Sequence, residues 1–170
     1  MITVHTEVVD DYLPINPTAV EKIVRRVMSE NGIHHGEISV IFGSDEMLRN
    51  LKQRFFGKDE FTDVISFRLD TTSKEPFQSM SKRPGIKTLQ PGSAVGDESF
   101  EGEIYISSRR ATKNAKTYHV SPANELSRLI FHGSLHLLGH DDNTIKNKAQ
   151  MQHLENQLLA QVQVEELLTP

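Results

Sequence analysis

Phe131-His132-Gly133-Ser134-Leu135-His136-Leu137-Leu138-Gly139-His140-Asp141-Asp142 reads as the last turns of a helix followed by a sharp bend. His132 and His136 stand at i and i+4, so a helix stacks them one turn apart on one face. That is the spacing two imidazoles need to hold one ion. Gly139, three residues further on, is the residue type that ends a helix in the left-handed conformation. It turns the chain back and offers Asp142 as a third ligand.

The layout His-x-x-x-His-x-x-Gly-x-x-Asp parallels that of metzincin metalloproteases, H-E-x-x-H-x-x-G-x-x-H. Here the last ligand is a carboxylate, and Gly133 replaces the glutamate that serves such a protease as general base. The pattern keeps a metal cage, supplies no base and leaves room beside the ion.

Working outward, Ser121 is the N-cap of the motif helix and Pro122 its first residue. Leu126, Leu129, Ile130, Gly133 and Leu137 form an apolar side, so the helix is expected at the centre of the fold. A further helix over about Thr144 to Val162, with Met151, Leu154, Leu158 and Leu159 at core spacing, should pack against it. Upstream, Gly102 to Ser107 reads as a short strand and Ser108 to Tyr118 as a helix. Arg109, Lys113 and Lys116 share a face of that helix, which suits either contact with phosphates or plain solvation.

The N-terminal half alternates. Strands are predicted over Ile2 to Val9, Glu37 to Phe42 and Thr62 to Phe67. Between them, one helix starts at Asn16-Pro17 and stops at Asn31-Gly32, and another is capped by Ser44 and runs to about Phe55. From about residue 70 to 101 no period survives, and the stretch reads as an irregular insertion, either a lid beside the site or a tolerated surface loop. The expected fold is α/β (α+β): a small mixed four-stranded sheet covered by about five helices, in one domain over residues 1–170.

With 36% hydrophobic and 25% charged residues, the composition is that of a globular chain rather than a disordered one. No run approaches the roughly 20 apolar residues of a membrane span, and the opening Met-Ile-Thr-Val-His-Thr-Glu lacks a signal-peptide layout. A cytoplasmic protein with no membrane partner is expected. Zero cysteines exclude disulfides and thiolate sites, so any metal rests on imidazole, carboxylate and water. A formal net charge of −4 argues against binding nucleic acid through overall charge, which leaves only a local basic face.

Zinc accepts imidazole and carboxylate at about 2.0–2.2 Å, and a catalytic zinc keeps three protein ligands and one open place. His132, His136 and Asp142 meet that count. His140 is the rival third ligand; on a straight helix it lies about 12 Å from His132, and after a turn at Gly139 the spacing favours Asp142. Two neutral histidines, one aspartate and a divalent ion sum to a single positive charge, a weaker Lewis acid than a three-histidine site. Oxygen donors also suit harder ions such as manganese. His5, His34, His35, His119 and His153 lack such a setting and are read as surface residues.

The sequence resembles the YbeY endoribonucleases, bacterial rRNA maturation factors that bear H-G-x-L-H-L-x-G-x-D-[HD]. Residues 132–141 match that motif, and Asp142 takes the less usual form of its last position. Thr-Asp-Val-Ile-Ser-Phe at 62–67, Gly-Glu-Ile-Tyr-Ile-Ser at 102–107 and Glu125-Leu126 extend the likeness. The resemblance implies a metal-dependent, single-strand-specific endoribonuclease that acts in maturation of the small-subunit rRNA 3′ end and in ribosome quality control. RNA and the small ribosomal subunit would be its partners, with no DNA. The family's arginine lies in Y-R-G-K-D, which here reads Phe55-Phe56-Gly57-Lys58-Asp59, so Arg54 is expected to replace it. His132 and Arg54 would then be catalytic, Arg54 by stabilising charge on the phosphorane, while Arg109, Lys113 and Lys116 hold the RNA backbone. A protease would need another base, for which Glu103 and Asp141 are candidates; a non-catalytic ribosome-associated factor with a structural metal is the third reading.

Overall fold

The computed structural model describes residues 1–70 and 100–168. Strands β1 (Ile2–Val8), β2 (Gly36–Gly43), β3 (Val64–Arg68) and β4 (Phe100–Ser107) form one mixed sheet in the order β1-β2-β4-β3. The β1-β2 and β2-β4 pairs are parallel; β3 runs antiparallel to β4 and lies at the edge of the sheet. Helices α1 (Pro17–Glu30), α2 (Asp45–Phe56), α3 (Ser108–Tyr118), α4 (Pro122–Leu137) and α5 (Ile145–Leu159) cover it, and a 3₁₀ turn follows at Val164–Leu168. The expected α/β class, strand count and helix count are all observed.

Local chemistry sets the helix ends. Asn16, Ser44, Ser107, Ser121 and Thr144 each accept a backbone N–H in the first turn of the helix they precede, relieving donors that have no intrahelical partner. α4 sits at the centre: Leu126, Ile130, Phe131, Leu135 and Leu137 are buried against β3 and β4 on one side and against α1, α3 and α5 on the others. α2 lies on the opposite face of the sheet, where Leu48 closes a small second core over Ile65 and Phe67.

Several strand boundaries differ from expectation by a residue or two, and a pair of them have a clear physical cause. β3 extends to Arg68, whose guanidinium is buried because it makes a two-pronged ion pair with Asp70 at 2.8 and 3.0 Å and lies 4.5 Å from the Phe100 ring centre. β4 begins at Phe100, two residues early, where the Phe100 N–H reaches the His35 carbonyl and the parallel register with Gly36 starts. The expected insertion lies outside the described residues apart from these ends, which Leu69 and Glu101 join by a 2.9 Å backbone hydrogen bond. The C-terminal turn was not anticipated. It buries Leu167, and its Leu167 and Glu166 carbonyls accept from the Asn16 backbone and side chain.

Candidate metal centre

α4 ends as its sequence requires. Gly139 adopts φ 97°, its N–H donates to the His136 carbonyl and the His140 N–H donates to the Leu135 carbonyl. This is the paired Schellman closure, which reverses the chain within two residues. Asp141 fixes the segment that follows, accepting from the Asn143 N–H at 3.2 Å and from the Asn147 side chain of α5 at 2.7 Å. Asp142 is thereby returned to the histidines.

His132, His136 and Asp142 present one ligand atom each within 4.8 Å of one another, the one such group among the described residues. The two Nε2 atoms are 2.9 Å apart, and His132 Nε2 lies 3.7 Å from Asp142 Oδ2. Donors at about 2.0–2.1 Å from a tetrahedral zinc stand roughly 3.3 Å from each other, so the cluster fits one small divalent ion. His140 is not in the group: the same Schellman closure that returns Asp142 holds His140 by its backbone.

Electrostatics prepare these ligands. Burial and the neighbouring His132 push the His136 pKa down to about 4, against the opposing pull of Asp142. A neutral imidazole with a free lone pair is the form that binds metal. His132 is pulled both ways: burial lowers its pKa, while the hydrogen bond and charge of Glu155 together with the charges of Asp142 and Asp63 raise it, with a net upward shift. Its Nδ1 lies 3.3 Å from Glu155 Oε1, and Glu155 is itself buried at 4% exposure. With Nδ1 turned to this carboxylate, Nε2 faces the ligand cluster, the orienting role of an outer-shell carboxylate. Sequence reading missed Glu155. Its signal was an acid between Met151 and Leu158 on the apolar stripe of α5. Glu155→Gln is expected to weaken zinc binding about 10–100-fold, measured by competition with a colorimetric chelator.

Gly133 has a different role from the one its motif suggested. A Cβ there would stand 2.6 Å from Ile104 Cγ2, 3.0 Å from Ser66 Oγ and 3.2 Å from Val64 Cγ2. The glycine lets α4 press onto β3 and β4, and the Ser66 hydroxyl donates to its carbonyl at 2.9 Å. It faces the sheet rather than opening space beside the ion.

Two hollows flank the cluster, and Asp142 borders both. A cleft of about 500 Å³ lies between α4, α5 and the end of α3, with Tyr118, Glu125, Arg128, His132 and Glu155 on its walls. A smaller hollow of about 190 Å³ lies on the side of α2 and β3 and includes His136. Within the cleft, Glu125 is 2% exposed and its Oε2 has no hydrogen-bond partner among the described residues. Burial raises the Glu125 pKa to about 7; Arg128 opposes this and Asp63 adds to it. Because the folded pKa lies above the unfolded one, the native state favours the protonated acid. This contribution is full below the unfolded pKa of about 4.5 and is lost as pH rises through about 7. Urea midpoints at pH 5 and pH 8 should therefore differ more for wild type than for Glu125→Gln.

Of the other expected site residues, Lys113 and Lys116 are exposed on α3 and make no ion pair among the described residues. Arg109 is committed elsewhere, to Asp10 at 2.9 Å and to the Tyr12 ring at 4.5 Å. Arg54 is not brought to the cluster. It lies over Phe55 and borders a separate groove with Ser44 and Met47, because positions 52 and 54 of a helix point about 200° apart. Lys52 and Phe56, one turn apart on α2, border the small hollow instead. Glu103 lies on the sheet face away from α4, where it accepts from the Tyr105 hydroxyl at 2.8 Å, and Asp141 is spent on the turn. Neither stands where a protease base would.

The fold and the cluster define a class: an α/β protein with a zincin-like helix that carries two histidines and a returning carboxylate. Residues 6–163 match the model of the family Endoribonuclease YbeY. Endoribonuclease YbeY of Clostridium botulinum (strain Eklund 17B / Type B) is 30% identical over 146 residues, covering 85% of this chain and 86% of its own. Its counterpart in Chlorobaculum tepidum is 31% identical over 145 residues, covering 85% and 88%. The chain belongs to the YbeY family. The solution structure of TM1509 from Thermotoga maritima shares the fold, with TM-score 0.53 and 21% identity over 94% of this chain and 87% of that one.

Proposed function

We propose that this chain cleaves single-stranded RNA at a metal centre held by His132, His136 and Asp142, and that it acts in maturation of the small-subunit rRNA 3′ end and in ribosome quality control. That it is an endoribonuclease, a hydrolase acting on RNA, follows from its family. The observation that carries the metal reading is the convergence of the three ligand atoms at the junction of two hollows. A bound divalent ion, zinc by its donor set, supplies Lewis acidity to a phosphate oxygen or to attacking water.

The chain's own residues do the rest. Glu155 orients the His132 ring, and the Schellman turn with Asp141 sets the reach of Asp142. Lys113 and Lys116 are exposed along α3, where they would hold the RNA backbone. No helix among the described residues is long and apolar enough to cross a membrane, which suits action on small ribosomal subunits in the cytoplasm.

The test is a comparison of substrates. Purified protein should cut a single-stranded oligoribonucleotide and also shorten 3′-extended rRNA in isolated small subunits, with the new ends mapped by sequencing. Cleavage of the oligonucleotide with the extended rRNA left intact would leave an endoribonuclease and remove the ribosomal role.

A further inference from the structure

The smaller hollow points to a phosphate site that rests on the endoribonuclease reading: we infer that Lys52 grips a backbone phosphate of the RNA beside the metal cluster, and that Glu60 stands in for that phosphate when no substrate is bound. Lys52 and Phe56 from α2, Thr62 and Ser66 from the β3 side, and His136 and Asp142 border this space. Among the described residues around it, Lys52 carries the one permanent positive charge.

Its setting is unusual for a lysine. The side chain is 23% exposed, where lysine normally keeps its head in water. The ammonium is held by Glu60 Oε1 at 2.8 Å, and that carboxylate is 55% exposed on the loop between α2 and β3. Ion pairs with an exposed partner contribute little net stability, so a phosphate can displace Glu60 at small cost. The helix holds the lysine in place, while its partner is an exposed carboxylate on a loop.

Charge decides which side of the cluster a phosphate takes. Asp142 and the Glu155 carboxylate together offset a divalent ion, so the centre is formally neutral rather than singly positive. In the large cleft the remaining acids, Asp63 and Glu125, formally balance Arg128 and Lys148. A phosphate that displaces Glu60 therefore meets an uncompensated positive charge on the α2 side, at Lys52.

The experiment uses the full-length protein with its metal and a single-stranded oligoribonucleotide. Wild type, Lys52→Ala, Lys52→Arg and Glu60→Gln are compared for metal content, urea midpoint, kcat, KM and the salt dependence of RNA binding. Lys52→Ala is expected to lose about 10–100-fold in kcat/KM and to flatten the slope of log K against log salt by about 0.7, with metal content and midpoint unchanged. Lys52→Arg should recover most of the loss, and Glu60→Gln should lower KM. An unchanged salt slope and kcat/KM in Lys52→Ala would overturn the site. So would a Glu60→Gln variant that binds RNA as poorly as Lys52→Ala, since the pair would then only brace the loop. A wild-type protein inert toward RNA would overturn the endoribonuclease reading itself, an outcome distinguishable from these.

Discussion

His136→Ala should leave a folded protein that no longer retains its metal and cleaves single-stranded RNA at least a thousandfold more slowly. His136 stands in the last turn of α4, half-buried, and its Nε2 lies 2.9 Å from that of His132. Alanine removes one of three ligands and leaves the apolar side of α4 untouched, so the fold loses little. Metal-centred charge stabilisation is worth several kcal/mol, and each 1.36 kcal/mol is about tenfold in rate; three decades or more follow. Metal analysis, circular dichroism and initial cleavage rates on the same preparation check the three parts together. Cleavage at the wild-type rate would remove the cluster from the chemistry.

Gly133→Glu, which restores the residue a metzincin protease has, is expected to unfold the protein rather than make it a protease. Any Cβ at 133 meets Ile104 at 2.6 Å and Ser66 at 3.0 Å. Overpacking of this kind costs about 1–3 kcal/mol, which outweighs the roughly 1 kcal/mol that alanine gains over glycine in a helix. Glutamate adds a carboxylate pressed against an apolar sheet, a further cost of several kcal/mol. The sum approaches the 5–15 kcal/mol typical of a whole domain. Gly133→Ala should lower the urea midpoint measurably and Gly133→Glu should show no cooperative transition; a wild-type midpoint for Gly133→Glu would refute this account of the helix–sheet contact.

These two positions also show what the sequence could reveal. His132, His136, Gly139 and Asp142 were legible because a helix period and a helix-stop rule act locally, and the capping residues Asn16, Ser44 and Ser121 gave the starts of α1, α2 and α4 for the same reason. Gly133 was misread because its constraint comes from Ile104, Ser66 and Val64, which lie far away in the chain. Arg54 was chosen by nearness in sequence, but two residues along a helix turn a side chain to the other face, and Lys52 borders the hollow instead. Arg68 and Glu155 were missed because charged residues are ordinarily solvated. Each is buried against a partner, Asp70 and His132, that composition and periodicity do not reveal.

The central claim is that His132, His136 and Asp142 hold an ion on which RNA cleavage depends. The most direct measurement strips the purified wild-type protein with chelator, then titrates zinc or manganese back while following cleavage of a single-stranded oligoribonucleotide. The account predicts that activity disappears on stripping and returns in proportion to occupancy, saturating at one ion per chain. Full activity in the stripped protein would contradict it.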